Sequence, residues 1–265
     1  MIIFDIDGTL RDEKLGIPTS TKEAIQQCHN RGIRVGLCTG RTLSMIHNDV
    51  LDLSFDMIMS GDGSQIIIDS HTIQDLYFDY DLLLRILSSV DMNKQGISIE
   101  TKHQVYMNQQ ACHILKECNQ NKGIQSLENE KIIYSNNIQY FNAQTMPVSK
   151  ICIWSNHKME KRTDVQYVQC IENDHYYYEM IHCLAGKGQA IENVIKYLEI
   201  EKEHIICFGD GLNDISMFQA CGYSIAMENS VDELKAIADD ICPVTYEDGI
   251  YKELIKLKII EGEEQ

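Results

Sequence analysis

Short, wholly apolar runs alternate with amphipathic stretches along most of this chain, and the alternation changes character in the middle. Ile2, Ile3 and Phe4 follow one another without a polar interruption, which predicts a strand buried on both faces. Ser20 to Glu23 carries a capping-box pattern, and the stretch from there to Arg31 stops at Gly32, as a helix should. Ile33 to Cys38 predicts a strand, Thr42 to Leu53 a second helix and Met57 to Ser60 another strand. Strands and helices taken in turn predict a parallel sheet, whose sites lie at the carboxyl ends of its strands. Asp5, Thr39 and Asp210 all fall at such ends.

Gln65 to Ile68 and Ile73 to Phe78 read as a hairpin around Asp69 to Thr72, which breaks the alternation. From Tyr80 to His182 short strand candidates (Ile97 to Glu100, Val105 to Asn108, Ile151 to Trp154, Val165 to Cys170 and Tyr176 to Ile181) mix with two helices, predicting an inserted α+β unit. The first pattern then resumes. A helix from Gln189 to Leu198, the Ile205 strand, a helix after Asn213, a Tyr223 to Met227 strand and helical segments near Val231 to Ala238 and Tyr251 to Ile259 complete it. The predicted organisation is a core of residues 1–79 and 183–265 split by an insert of residues 80–182.

Composition narrows the partners. With 23 basic against 40 acidic residues the net charge is -17, which argues against nucleic acid or an anionic membrane surface. No apolar run reaches the roughly 18 residues that span a bilayer, and the expected location is the cytoplasm. Ten cysteines occur without CxxC spacing, several of them inside apolar runs (Cys38, Cys152, Cys207), and read as buried reduced thiols. None of the nine histidines falls in a metal-binding pattern.

Two apolar strands run straight into acids. Ile2 to Phe4 leads into Asp5, Ile6, Asp7 and Gly8, and Ile205 to Phe208 leads into Gly209, Asp210, Gly211, Leu212, Asn213 and Asp214. Side by side, these strands would gather Asp5, Asp7, Asp210 and Asp214 at one sheet edge. Like charges about 4 Å apart repel by roughly 4 kcal/mol at an effective dielectric near 20, so such a cluster calls for a cation or shared protons. Oxygen ligands alone favour a hard ion such as Mg²⁺ over zinc. With its charge offset, Asp5 becomes available as a nucleophile toward phosphorus.

Asp5–Ile6–Asp7–Gly8–Thr9, then Cys38–Thr39–Gly40–Arg41, then Gly186–Lys187–Gly188 and last Gly209 to Asp214 resemble the four ordered motifs of the haloacid dehalogenase (HAD) superfamily of phosphohydrolases. Ser224 to Ser230, Lys235, Ala238, Asp239, Asp248 and Gly249 are similar to the tail of its Cof-like members with a type IIB cap. The resemblance implies an α/β fold, a Rossmann-like parallel sheet flanked by helices, with the insert as an α+β cap. It implies a Mg²⁺-dependent phosphatase of small phosphorylated metabolites, working through an aspartyl phosphate. Asp5 is then nucleophile and metal ligand. Asp7 is general acid and base and gives its backbone carbonyl to the metal. Asp210 is the second carboxylate ligand and Asp214 holds a metal-bound water. Gly8, Thr39, Gly40, Lys187 and Asn213 bind the phosphoryl group, with Thr39 at a helix N-terminus and Lys187 in a glycine-flanked loop. Arg41 either assists them or pairs with an acid.

Asp7 separates the chain from ion-pumping ATPase relatives, which lack an acid there. A Walker loop is excluded by Gly188 and Ile181 at its diagnostic positions. Two positions depart from the Cof-like pattern: Ser60–Gly61–Asp62–Gly63 replaces Asn–Gly–Ala, and Glu228 replaces a glycine. Asp62 either meets a substrate hydroxyl or serves as a turn residue. Among the aromatic residues of the insert, Tyr106, Tyr134, Tyr140, Trp154, Tyr167 and Tyr176 to Tyr178 either stack on a ring substrate or pack the unit's core. A phosphomutase with the same site and a catalytically idle, metabolite-binding regulator are the competing functions, with the chain expected to be a monomer or homodimer.

Overall fold

The computed structural model describes residues 1–119, 131–134, 147–160, 162–172 and 175–262. Their elements are, in order, β1 (Ile2–Phe4), α1 (Thr19–Asn30), β2 (Val35–Cys38), α2 (Asn48–Leu51), β3 (Met57–Ser60), β4 (Gln65–Ile68) and β5 (His71–Asp75). There follow α3 (Tyr80–Ser88), β6 (Gly96–Thr101), β7 (Val105–Met107), α4 (Gln109–Asn119), β8 (Ile132–Tyr134), β9 (Val148–Ser155), β10 (Gln166–Glu172) and β11 (His175–Ile181). Last come α5 (Lys187–Leu198), β12 (Ile206–Gly209), α6 (Ile215–Ala220), β13 (Tyr223–Met227), α7 (Asp232–Lys235), β14 (Asp240–Cys242) and α8 (Gly249–Lys256).

The chain folds into two compact units. The first holds Met1–Gly40, His47–Gln74 and Gly186–Gln265, and the second Arg41–Ile46 and Asp75–Ala185. The first unit is an eight-stranded sheet in the order β14-β13-β12-β1-β2-β3-β4-β5. β1 pairs in parallel with β2 on one side and β12 on the other, so the strand order reverses at β1. Open α/β sheets bind ligands at that reversal, beyond the carboxyl ends of the strands. The register Phe4↔Phe208 carries both chains over the same edge, where each turns into its acids. Beneath lies a continuous apolar core that includes Ile3, Met59, Ile191, Cys207 and Ala226, all fully buried.

The second unit is a six-stranded sheet, β10-β11-β9-β6-β7-β8, largely antiparallel. Leu82, Leu83 and Ile86 of α3 pack with Ile97, Ile99, Ile151 and Ile153 on one of its faces. Its rings pack among themselves: Trp154 lies 5.3 Å from Tyr177, and Tyr176 stacks 6.3 Å from the fully buried Tyr178. Tyr106 joins the same core, and Tyr134 is about half exposed. Tyr140 and the side chain of Tyr167 lie outside the described residues.

Local pattern and structure part company in several places, three of which bear on the site or its supports. The Thr42 to Leu53 helix does not form. A single 3-10 turn at Leu43–Met45 and the four-residue α2 stand there instead. The Thr42 hydroxyl donates to Glu100 Oε2 at 2.8 Å and the Ser44 hydroxyl to the Thr101 carbonyl at 2.8 Å, so tertiary hydrogen bonds take the chain away from helix geometry. The capping box at Ser20 is not made either. α1 begins behind Pro18 with no side-chain cap, and the Ser20 hydroxyl donates to Asp248 across the unit. Finally, α5 starts at Lys187, two residues before its apolar periodicity, so this lysine is helical and its loop placement is corrected.

Candidate active site

Each acid of the site is set by backbone hydrogen bonding at the sheet edge. The Asp5 N–H continues the β1–β12 ladder by donating to the Phe208 carbonyl at 3.0 Å, which brings Asp5 beside the β12 exit. There the Asp210 and Gly211 N–H groups both donate to Asp214 Oδ2 at 2.9 Å, closing a tight turn around a fully buried carboxylate. Oxygens of Asp5, Asp210 and Asp214 all lie within 4.8 Å of one another.

Into this cluster α5 delivers Lys187. Its Nζ donates to Asp5 Oδ1 at 2.7 Å and to Asp214 Oδ1 at 2.6 Å, with the side chain fully buried. Gly188 permits that delivery, because a Cβ there would stand 2.5 Å from the Ser216 carbonyl oxygen. Burial alone would lower the Lys187 pKa, yet the Asp214 and Asp5 charges outweigh it and hold the ammonium well above the ordinary lysine range. Burial pushes Asp5 well above the usual carboxylate range despite the neighbouring Lys187, with Asp214 adding to the rise. Burial and then Asp214 push Asp210 up to about 7, against the opposing Thr9 hydrogen bond. Asp7 adds its negative charge to both of these carboxylates.

One ammonium among three close carboxylates leaves a surplus of buried negative charge, and the donors are all oxygen. That set fits a hard divalent cation such as Mg²⁺. Asp5, Asp210 and Asp214 are the side chains able to hold it.

Around the cluster, Thr9 Oγ1 donates to Asp210 Oδ1 at 3.2 Å, and Asn229 Nδ2 bridges the Gly8 carbonyl at 3.1 Å and Asp210 Oδ2 at 3.2 Å. Gly8 has φ +77°, and a Cβ there would fall 2.2 Å from Asp210 Oδ2, so side-chain-free backbone is required. Thr39 is buried at the end of β2, its N–H on the Met59 carbonyl at 2.9 Å and its own carbonyl accepting from Asp62 N at 2.9 Å. No helix starts behind it, so the expected helix N-terminus there is corrected to a strand end followed by an irregular turn. Gly40 faces Asp62 and Asn213, and Asn213 Nδ2 donates to Asp62 Oδ1 at 3.3 Å. Arg41 belongs to the second unit, where Nη1 donates to the Met45 carbonyl at 3.1 Å.

Sequence reasoning passed over Thr9 and Asn229 as parts of this constellation. Their signal was available: Thr9 closes the first acidic motif, and Asn229 follows the β13 run as the acids follow β1 and β12. Thr9 bonds a residue 201 positions away and Asn229 one 221 positions away, pairings that only the sheet register specifies.

Comparisons with known proteins agree with this architecture. The family profile described as haloacid dehalogenase-like hydrolase matches residues 2–254. The putative phosphatase YkrA of Bacillus subtilis is 26% identical over 274 residues, covering 97% of this chain and 98% of that protein. The same organism's YwtE, named a 5-amino-6-(5-phospho-D-ribitylamino)uracil phosphatase, is 25% identical over 284 residues, covering 94% of each. Among solved structures, a haloacid dehalogenase-like hydrolase from B. subtilis has a TM-score of 0.80 at 23% identity, covering 96% of this chain and 98% of that one. The HAD subclass IIB sugar phosphatase BT4131 has a TM-score of 0.79 at 21% identity, covering 98% and 99%.

Proposed function

The chain belongs to the haloacid dehalogenase-like hydrolases and is a phosphatase, and from that membership we propose that it hydrolyses small phosphorylated metabolites, sugar phosphates or similar, in a Mg²⁺-dependent reaction through an aspartyl phosphate. One observation supports this reading above the rest: three carboxylates from both ends of the chain lie within 4.8 Å of one another, two of them bonded to one fully buried lysine. The ribityl phosphate in the name of YwtE supports a small polar metabolite as substrate class.

Asp5 attacks phosphorus, forming an Oδ–P bond as the bond from phosphorus to the leaving oxygen breaks. Asp7 gives its proton to that leaving alcohol. Water, surrendering a proton to Asp7, then cleaves the aspartyl phosphate to release inorganic phosphate and restore Asp5. When bound, Mg²⁺ would supply charge neutralisation for the phosphoryl oxygens. Lys187 keeps Asp5 oriented and offsets charge at the same centre. Gly8, Thr39, Gly40 and Asn213 are assigned to binding the phosphoryl group, and the same duty is assigned to Arg41. A share in selecting the substrate is assigned to the insert, residues 80–182. With Cys28, Cys38 and Cys207 buried as free thiols, the proposal extends to a reducing cytoplasmic location. No helix among the described residues is long and apolar enough to cross a membrane.

Release of inorganic phosphate from a panel of phosphorylated metabolites, with and without Mg²⁺, tests the reading. Asp5→Asn should lower kcat by about 10³-fold or more while leaving the thermal melt in place. Residual turnover near wild type in that variant, or turnover indifferent to chelation, refutes it.

A further inference from the structure

A cleft of about 660 Å³ in the first unit opens directly on Asp7 and Asp210, and two of its other lining residues are the half-exposed ring of Tyr246 and the 73% exposed side chain of Leu15. Neither side chain contributes to the unit's core. Scattered surface leucines are ordinary, but an apolar pair sharing a concave site with convergent polar groups is the signature of ligand recognition.

Both are held in place by the loops that carry them. Leu15 sits at the tip of a closed hairpin, in which Asp12 N donates to the Gly16 carbonyl and Gly16 N to the Asp12 carbonyl, each at 3.0 Å. The Asp12 carboxylate accepts from Lys14 N and Leu15 N at 2.8 and 2.9 Å, stiffening the tip further. Tyr246 lies in the 3-10 turn Thr245–Glu247, and the Thr245 hydroxyl bonds the Gly8 and Thr9 carbonyls at 3.2 and 2.8 Å. Tyr246 is thus tied to the same backbone that positions Asp7. The loops that carry both residues are thereby closed in the free protein, so a ligand need not order their backbone on binding.

Charge restricts what fits. The cleft carries Asp7, Asp12, Glu13 and Asp210 against Lys14, so a second phosphate on the alcohol portion would meet a surplus of negative charge. Resting on the phosphatase reading, we propose that Leu15 and Tyr246 are specificity-determining residues, against which an apolar ring on the alcohol portion of a monophosphate ester is received.

Two alkyl phosphates of similar leaving group, 2-phenylethyl phosphate and glycerol 3-phosphate, isolate the effect. The ratio of their kcat/KM values, ring ester over glycerol ester, should fall about tenfold in Tyr246→Ala and about threefold in Leu15→Ala, and persist in Tyr246→Phe. An unchanged ratio in Tyr246→Ala, or equal loss on both esters, overturns the proposal. Failure of the wild-type enzyme to turn over either ester with Mg²⁺ counts against the phosphatase reading instead. Calorimetric binding then decides this one: affinity for 2-phenylethyl phosphate about tenfold weaker in Tyr246→Ala supports it, and equal affinity or no binding by wild type overturns it.

Discussion

Lys187→Met removes a charge and keeps an unbranched side chain of similar length, so it isolates the electrostatics of the acidic centre. In the native protein the ammonium bridges Asp5 and Asp214 at 2.7 and 2.6 Å with no solvent access. Without it, three carboxylates whose oxygens lie within 4.8 Å of one another lose their counter-charge. Each pair at such a separation repels by about 3 to 4 kcal/mol at an effective dielectric near 20, and stripping a buried charge of its partner costs about 3 to 5 kcal/mol. Protons relieve part of this. Burial already raises Asp5 and Asp210, so between the ordinary carboxylate pKa and the raised one the native state holds protons that the unfolded chain has released. Stability therefore falls as pH rises through that window, which for Asp210 ends near 7, and the variant extends the fall upward. Urea denaturation followed by circular dichroism in a chelator should show a loss of about 3 to 5 kcal/mol at a pH well above 7 and about 1 to 2 kcal/mol well below it. Added Mg²⁺ should stabilise the variant more than the wild type, because the ion no longer faces a neighbouring ammonium. A loss under about 1 kcal/mol at the higher pH, the same loss at both, or weaker rescue by Mg²⁺ would refute this account of the centre.

Three further outcomes follow from the same geometry. Asp7→Asn should slow turnover by about 10² to 10⁴-fold and let a phosphoenzyme build up that acid quenching can trap; absence of that species at burst times would argue that Asp7 does not activate the water. Because Asp210 is raised to about 7 and Asp5 is raised as well, metal binding below neutrality releases protons, so Mg²⁺ affinity measured by calorimetry should tighten by about tenfold or more per unit as pH rises toward neutrality, and a flat profile would contradict it. Gly188→Ala places a Cβ 2.5 Å from the Ser216 carbonyl and should shift the start of α5, lowering the melting temperature through about 1 to 3 kcal/mol of strain and reducing kcat with it; an unchanged melt would show that the approach is not tight.

Much of the architecture was legible because it is written in local periodicity. β3, β4 and β13 match their predicted runs end for end, since strands rich in apolar residues leave a local signature. The haloacid dehalogenase-like fold was likewise legible from four motifs in order. Thr42 to Leu53 misled for the opposite reason. Its composition suits a helix, but Thr42 and Ser44 bond Glu100 and Thr101, more than fifty residues away. β8 and β14 are three-residue strands, too short for a period to declare itself.

From the linear chain alone came the succession of strands and helices and the acids that end β1 and β12, because side-chain period and turn chemistry are properties of neighbouring residues. Only the folded protein decided that Asp5 and Asp214 share one fully buried lysine, that Asn229 clamps Gly8 to Asp210, and that Leu15 and Tyr246 border one cleft. Those relations depend on sheet register and helix docking across long stretches of chain, 182 residues between Asp5 and Lys187 and 221 between Gly8 and Asn229, where no local pattern reaches.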